Sequence, residues 1–245
     1  KDGAKRKELS EQALGAFFSF VNDQLIPYLK GLEERPDATP RQKVISQIMS
    51  GVERTRVDTE KNFLDILDKV DEIKQSNISD THIFTLSQIY EGLLLKMGEK
   101  GNDGGQFFTP QEVIRAMVQM AKPKVGEKVY DPCCGTAGFL AQAYVSMSQD
   151  ENLTAENIET LKNSTFYGRE KENLIYPISL ANLVLHGVDR PHIWHGNTLT
   201  GSEIYGGLFE QAPRQFDVIL TNPPFGGKEG KEAQTNFAYK TSSTS

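Results

Sequence analysis

Asn222-Pro223-Pro224-Phe225 stands one residue, Thr221, after the apolar run FDVIL and gathers unusual chemistry into four consecutive residues. Two prolines fix the backbone and remove two N–H donors, so carbonyls can point into a site without competing amides. The Asn222 side-chain oxygen and a rigid carbonyl can accept hydrogen bonds from one exocyclic NH2 group. That draws the nitrogen lone pair out of conjugation and aims it at an electrophile. Phe225 offers a flat face for an extruded base, a contact worth about 1 to 3 kcal/mol. The plain alternative is a proline-rich turn closing a strand.

Upstream, DPCCGTAGF (131–139) carries Asp131, Gly135, Thr136, Gly138 and Phe139. Its glycines permit a tight turn and close backbone approach to a ligand, and Asp131 supplies a carboxylate at a strand tip. The spacing is neither GxGxxG nor GxxxxGK[ST], so a nucleoside ligand other than a dinucleotide or triphosphate is expected. An Asp and two glycines in such a turn are equally at home as structure alone. Glu170 lies 35 residues beyond Gly135, where an acid can hydrogen-bond both ribose hydroxyls; with Lys171 and Glu172 beside it, a solvated surface acid is the other reading. Asn197 either meets a base or caps a turn. The cysteines, Cys133 and Cys134, are adjacent and lack CxxC spacing, so no metal site is expected. His186, His192 and His195 read as structural or surface residues, and Lys228 and Lys231, interleaved with Glu229 and Glu232, as a solvated loop.

The elements that must position these residues follow from periodicity. Leu14, Phe17, Phe18, Val21 and Leu25 recur at helical spacing, interrupted or kinked by Pro27. Thr39-Pro40 caps a second helix carrying Val44, Ile45, Ile48, Met49 and Val52. A third carries Phe63, Leu64, Ile66, Leu67, Val70 and Ile73, and a fourth Ile83, Leu86, Ile89, Tyr90, Leu93, Leu94 and Met97. Residues 1–98 therefore read as an all-helical domain, closed by the glycine-rich run GEKGNDGG at 98–105. After it, Thr109-Pro110-Gln111-Glu112 has the form of a capping box. Strands at 127–131, 164–170, 192–197 and 216–222 alternate with helices at 137–147 and 173–187, the second open to a kink at Pro177. Such alternation implies a doubly wound parallel sheet, an α/β domain over 105–245, with ligands at the carboxyl ends of the strands.

The chain has 245 residues, 27 Lys+Arg against 33 Asp+Glu, a net charge of −6 and 38% hydrophobic residues. That composition describes a globular chain, and no apolar run reaches the roughly 20 residues of a membrane span. No signal peptide opens it, so a cytoplasmic location is expected. The acidic balance argues against a stand-alone nucleic-acid binder, because such affinity rests on Lys and Arg neutralising phosphates. Any DNA role would require a local basic surface or a partner.

GQFFTP (105–110), DPCCGTAGF and NPPFGG, in this order, resemble the amino-group DNA methyltransferases that use S-adenosylmethionine, specifically the modification subunit of type I restriction-modification systems. The resemblance covers nearly the whole chain. It implies a Rossmann-like methyltransferase sheet, incomplete here at its carboxyl-terminal end, preceded by the helical domain. It further implies transfer of a methyl group to adenine N6 of DNA, in a complex with a specificity subunit, a second modification subunit and a restriction subunit. Phe107, Phe108, Thr109 and Pro110 match the motif that meets the methionine carboxylate. Asp131, Gly135, Thr136, Gly138 and Phe139 match the glycine loop, Glu170 the ribose acid, and Asn222, Pro223, Pro224 and Phe225 the target-adenine site. Two positions depart from the pattern: Ala137 replaces a common Gly, which a helix start should tolerate, and Asn197 replaces a common Asp. Methylation of another planar NH2, in a protein glutamine or a ribosomal RNA base, is the alternative within enzymes. A truncated, non-catalytic assembly fragment is the alternative outside them. The chain starts at Lys1 without Met, and a chain ending at Ser245 is expected to bind cofactor weakly.

Overall fold

The computed structural model describes residues 15–57, 59–72, 109–199 and 212–224. The expected helix over Ile83 to Met97, the run at 98–105, Phe107, Phe108, Phe225, Lys228 and Lys231 lie outside them. The chain divides into two compact units, Lys1–His82 and Ile83–Ser245.

In the first unit, α1 (Gly15–Phe20) runs into a π-helical stretch, Val21–Leu25, and on into α2 (Ile26–Lys30). Pro27 is the reason for the widening. It has no N–H to give and its ring would press on the preceding turn, so the turn ahead of it opens and the Ile26 amide bonds Val21 O. A 3-10 turn, Gly31–Glu34, follows, then α3 (Pro40–Met49) and α4 (Glu60–Glu72). Thr39 forms the expected capping box: its hydroxyl accepts from Gln42 N at 3.3 Å while Gln42 Oε1 accepts from Thr39 N at 2.9 Å. Val21, Ile26, Leu32 and Val44 are buried, and the Ser46 hydroxyl is satisfied by the Lys30 carbonyl. Phe18 stacks on Phe63 of α4, ring centroids 5.8 Å apart.

In the second unit, α5 (Gln111–Ala121) precedes β1 (Val129–Asp131), α6 (Gly138–Ser148), α7 (Ala155–Asn163), β2 (Phe166–Glu170), α8 (Tyr176–His186), β3 (His192–His195) and β4 (Val218–Ile219). The four strands are parallel in the order β3-β2-β1-β4. The α/β reading therefore holds. The registers place Val129, Phe166 and Ile193 on one face with Asp131, Gly168 and Glu170; Tyr130, Tyr167, Arg169, His192 and Trp194 occupy the other. Helix α6 packs against β1 and β2, and α8 against α6 and β3. Between them Leu140, Ala141, Ala143, Leu180 and Leu183 are completely buried. On the other face Tyr130 stacks on Phe216 at 4.3 Å and Tyr167 on His192 at 4.7 Å.

Three local expectations are corrected. Pro177 does not kink α8, because it sits in the first turn, where its missing N–H costs nothing. The fourth strand pairs over only Val218–Ile219, although Leu220 N still reaches Tyr130 O at 3.0 Å. Helix α7 was not expected at all. Its sequence AENIETLKN buries only Leu161, too little for a hydrophobic stripe, and the capping box of Thr154 with Asn157 starts it.

Candidate active site

Because β1 is flanked by β2 on one side and β4 on the other, the chain's crossovers part at its carboxyl end, the place where open α/β sheets bind ligands. Asp131 closes β1 there, and Asn222 follows β4 by three residues. A cavity of about 70 Å3 lies between them, lined by Thr109, Asp131, Gly135, Thr136, Gly138 and Asn222 among others. That volume admits a small polar group, so a ligand as large as a nucleoside must extend beyond it.

The loop from Asp131 to α6 is tied at several points. Cys134 N bonds Arg169 O at 2.9 Å, and Cys133 N donates to Asp131 Oδ1 at 3.1 Å. Asn182 of α8 donates from Nδ2 to Thr136 O at 2.7 Å, and the Thr198 hydroxyl donates to Pro132 O. Gly138 lets α5 approach closely: a Cβ there would stand 2.9 Å from Ile114 Cδ1, so the end of that side chain would have to shift. Ala137 is completely buried and takes the left-handed conformation at φ 64°, which costs a non-glycine residue about 1 to 2 kcal/mol. The substitution of Gly by Ala is thus a matter of backbone strain more than of loop width.

Burial sets the electrostatics. Asp131 is 1% exposed, and desolvation pushes its pKa up to about 7, against the pull of the Thr221 hydroxyl and the Cys133 amide. Glu170 is buried as well, which excludes the solvated surface acid. Desolvation raises its pKa while the amides of Glu172, Gly135 and Lys171 hold it down, the first at 2.7 Å. Burial lifts Cys133 to about 11 and Cys134 well above the thiol range, so both stay protonated. Asn197 Oδ1 accepts from Leu199 N at 2.9 Å, the turn-capping arrangement. Glu170 and Asn197 stand outside the cavity lining, on the β2 and β3 side of the same edge, joined to it by Gly196 N to Glu170 O at 2.7 Å.

At the β4 side, Asn222 is half-buried with the exposed Pro223 and Pro224 after it. Its Nδ2 donates to Thr109 Oγ1 at 2.9 Å. The expected capping box at Thr109 does not form: Pro110 is the N-cap of α5 and no side chain caps it, since the Thr109 hydroxyl serves Asn222 instead.

Residues 81–245, which include every site residue named above, match the N-6 DNA Methylase family. The chain belongs to the N-6 DNA methylase family. Its relatives include the EcoEI type I restriction enzyme methylase subunit of Escherichia coli, 38% identical over 226 residues, a match covering 91% of this chain and 43% of the relative. Among solved structures, a modification subunit of a putative type I restriction enzyme from Vibrio vulnificus YJ016 superposes with a TM-score of 0.72 at 36% identity, over 89% of this chain and 43% of the other. A chain from a study of assembly and conformational transition in the type I R-M system gives a TM-score of 0.68 at 36% identity, over 96% and 45%. This N-6 DNA methylase chain therefore spans less than half the length of these relatives.

Sequence reasoning about this site missed Ile114, whose side chain packs against the glycine loop, and Asn182, which pins it. Asn182 left a signal: an amide in the middle of the otherwise apolar LANLVL, here 3% exposed. His186 Nδ1 meets Asn182 O at 2.8 Å and His192 Nε2 meets Asn163 O at 2.8 Å, so both take structural places.

Proposed function

We propose that this chain is the methyl-transferring part of the modification subunit of a type I restriction-modification complex, acting on adenine N6 of DNA with S-adenosylmethionine. The observation that carries this reading is the convergence of Asn222, Thr109, Asp131 and the glycine loop on one cavity at the carboxyl ends of β1 and β4. Asp131 fits the cofactor, because a carboxyl that burial leaves half-protonated near neutral pH is completed by an ammonium beside it. The uncapped start of α5, with Thr109 and Pro110, suits a carboxylate. Glu170 takes the ribose hydroxyls and Asn197 neighbours the base, with Phe107 and Phe108 completing the cofactor side. S-adenosylmethionine supplies an activated methyl group on sulfonium. Asn222 Oδ1 and the Pro223 carbonyl hold the target NH2 and polarise it, and Phe225 stacks on the extruded base. Alignment and polarisation are then the main contributions of the protein, with no cysteine nucleophile.

In this reading residues 1–98 form the helical domain and 105–245 the catalytic part. The net charge of −6 fits an enzyme that reaches DNA with a specificity subunit and a second modification subunit, joined by the restriction subunit in the full complex. No helix among the described residues is long and apolar enough to cross a membrane, and we place the complex in the cytoplasm. The test is nucleoside analysis of DNA treated with the complete protein and its partners. N6-methyladenine is expected, and Asn222→Ala should abolish it while cofactor affinity stays within about threefold. N4-methylcytosine, or methylated protein or ribosomal RNA with unmodified DNA, would overturn the assignment.

A further inference from the structure

Among the described residues several threonines stand just before helices; Thr59, ahead of α4, accepts from Asn62 N at 3.2 Å. Thr39 and Thr154 spend their hydroxyl oxygens on the helix, accepting from Gln42 N at 3.3 Å and Asn157 N at 3.2 Å. Thr109 stands one residue further out, ahead of the N-cap Pro110 of α5, and its oxygen accepts from Asn222 Nδ2, 113 residues further along the chain, at 2.9 Å. A side-chain cap stabilises a helix by satisfying an amide that its first turn leaves open. Here that local interaction is given up for a contact inside the cavity.

We infer that Thr109 is a positioning residue for Asn222, holding its amide with Oδ1 turned to the target amine. This rests on the function proposed above. An amide has an accepting end and a donating end, and only the accepting end can bind an NH2 group productively. If the amide were reversed, Nδ2 would face the incoming amine, donor against donor. A hydroxyl alone does not choose, since it can donate to Oδ1 as readily as accept from Nδ2. The choice is made when its single proton is engaged elsewhere. A carboxylate at the uncapped start of α5 would take that proton, leaving Thr109 Oγ1 only able to accept and locking Asn222 in the productive orientation. Occupation of the cofactor side thereby prepares the target side.

Two measurements test this. First, the side-chain amide of Asn222 is followed by NMR in the 245-residue chain. Its protons are expected to be slowed in exchange in the wild type and in Thr109→Ser, further slowed by S-adenosylhomocysteine, and released in Thr109→Val. Second, methylation kinetics are measured on the complete enzyme at saturating cofactor and DNA. Thr109→Val is expected to lower kcat about 10- to 100-fold, the scale set by a misplaced reacting group, and Thr109→Ser to restore it to within about threefold. Thr109→Ala should behave as the valine variant does if valine disturbs α5. A valine variant that raises only the cofactor KM and keeps kcat, or an Asn222 amide indifferent to Thr109, overturns the inference. If the amide responds as expected but the wild-type enzyme makes no N6-methyladenine, the proposed function fails and the hold of Thr109 on Asn222 stands.

Discussion

The two sides of the cavity are built differently. The loop of Asp131 to Gly138 is held by Arg169 O, Asn182 Nδ2 and the Thr198 hydroxyl, and is packed against Ile114. Asn222 hangs from a two-residue strand pairing and a side-chain bond to Thr109. The difference teaches where rigidity is spent. On the proposed function, a cofactor with a fixed positive centre gains from a prebuilt cradle, whereas a residue that receives an extruded base gains from an orientation set late.

Overpacking should break the cradle side most severely. A Cβ on Gly168 would lie 2.7 Å from Ile193 Cδ1 and 3.2 Å from both Cβ and Sγ of Cys134. Gly168→Val is expected to lower stability by about 3 kcal/mol, the upper end for overpacking, measured by denaturant unfolding. Asn182→Ala should cost less, about 1 to 3 kcal/mol, because it leaves the Thr136 carbonyl without that donor in a buried place. It should also weaken cofactor binding in calorimetry. Asn222→Ala, on the target side, should change unfolding by no more than about 1 kcal/mol. Equal losses for Asn182→Ala and Asn222→Ala would erase the contrast.

Acidity sharpens it further. The folded chain keeps the Asp131 proton up to about pH 7, whereas the unfolded chain gives it up near the ordinary carboxyl value of 3.8. The folded state thus binds more protons between these values, and stability contributed by Asp131 falls as pH rises through that window. Asp131→Asn cannot ionise, so its melting temperature should exceed that of the wild type at pH 8 and approach it near pH 4. Cofactor affinity of the wild type should rise from pH 6 to pH 8, with proton release seen as a buffer-dependent binding enthalpy. The smallest effect is expected at Ala137→Gly. Relief of the left-handed strain is offset by the lost buried methyl and a freer unfolded chain, leaving a change within about 1 kcal/mol.

Legibility followed contiguity. Asp131, Gly135 and Gly138 fall within one turn, and Asn222 to Pro224 within one strand exit, so their types and order were readable from the chain alone, as was the alternation that led to a parallel sheet. Helix α7 escaped because only Leu161 of its residues is buried, and the capping box at Thr109 misled because the local pattern was right and the partner was remote.

Residue chemistry and its spacing thus determined the family of site, the α/β architecture and the order of motifs, since these depend on periodicity and on backbone turns a few residues long. Tertiary structure alone decided which oxygen Thr109 lends to which amide, that Glu170 is buried, and that Asp131 is half-protonated near neutral pH. Those properties arise from groups distant in sequence excluding water from one another, and no local pattern encodes how much water remains.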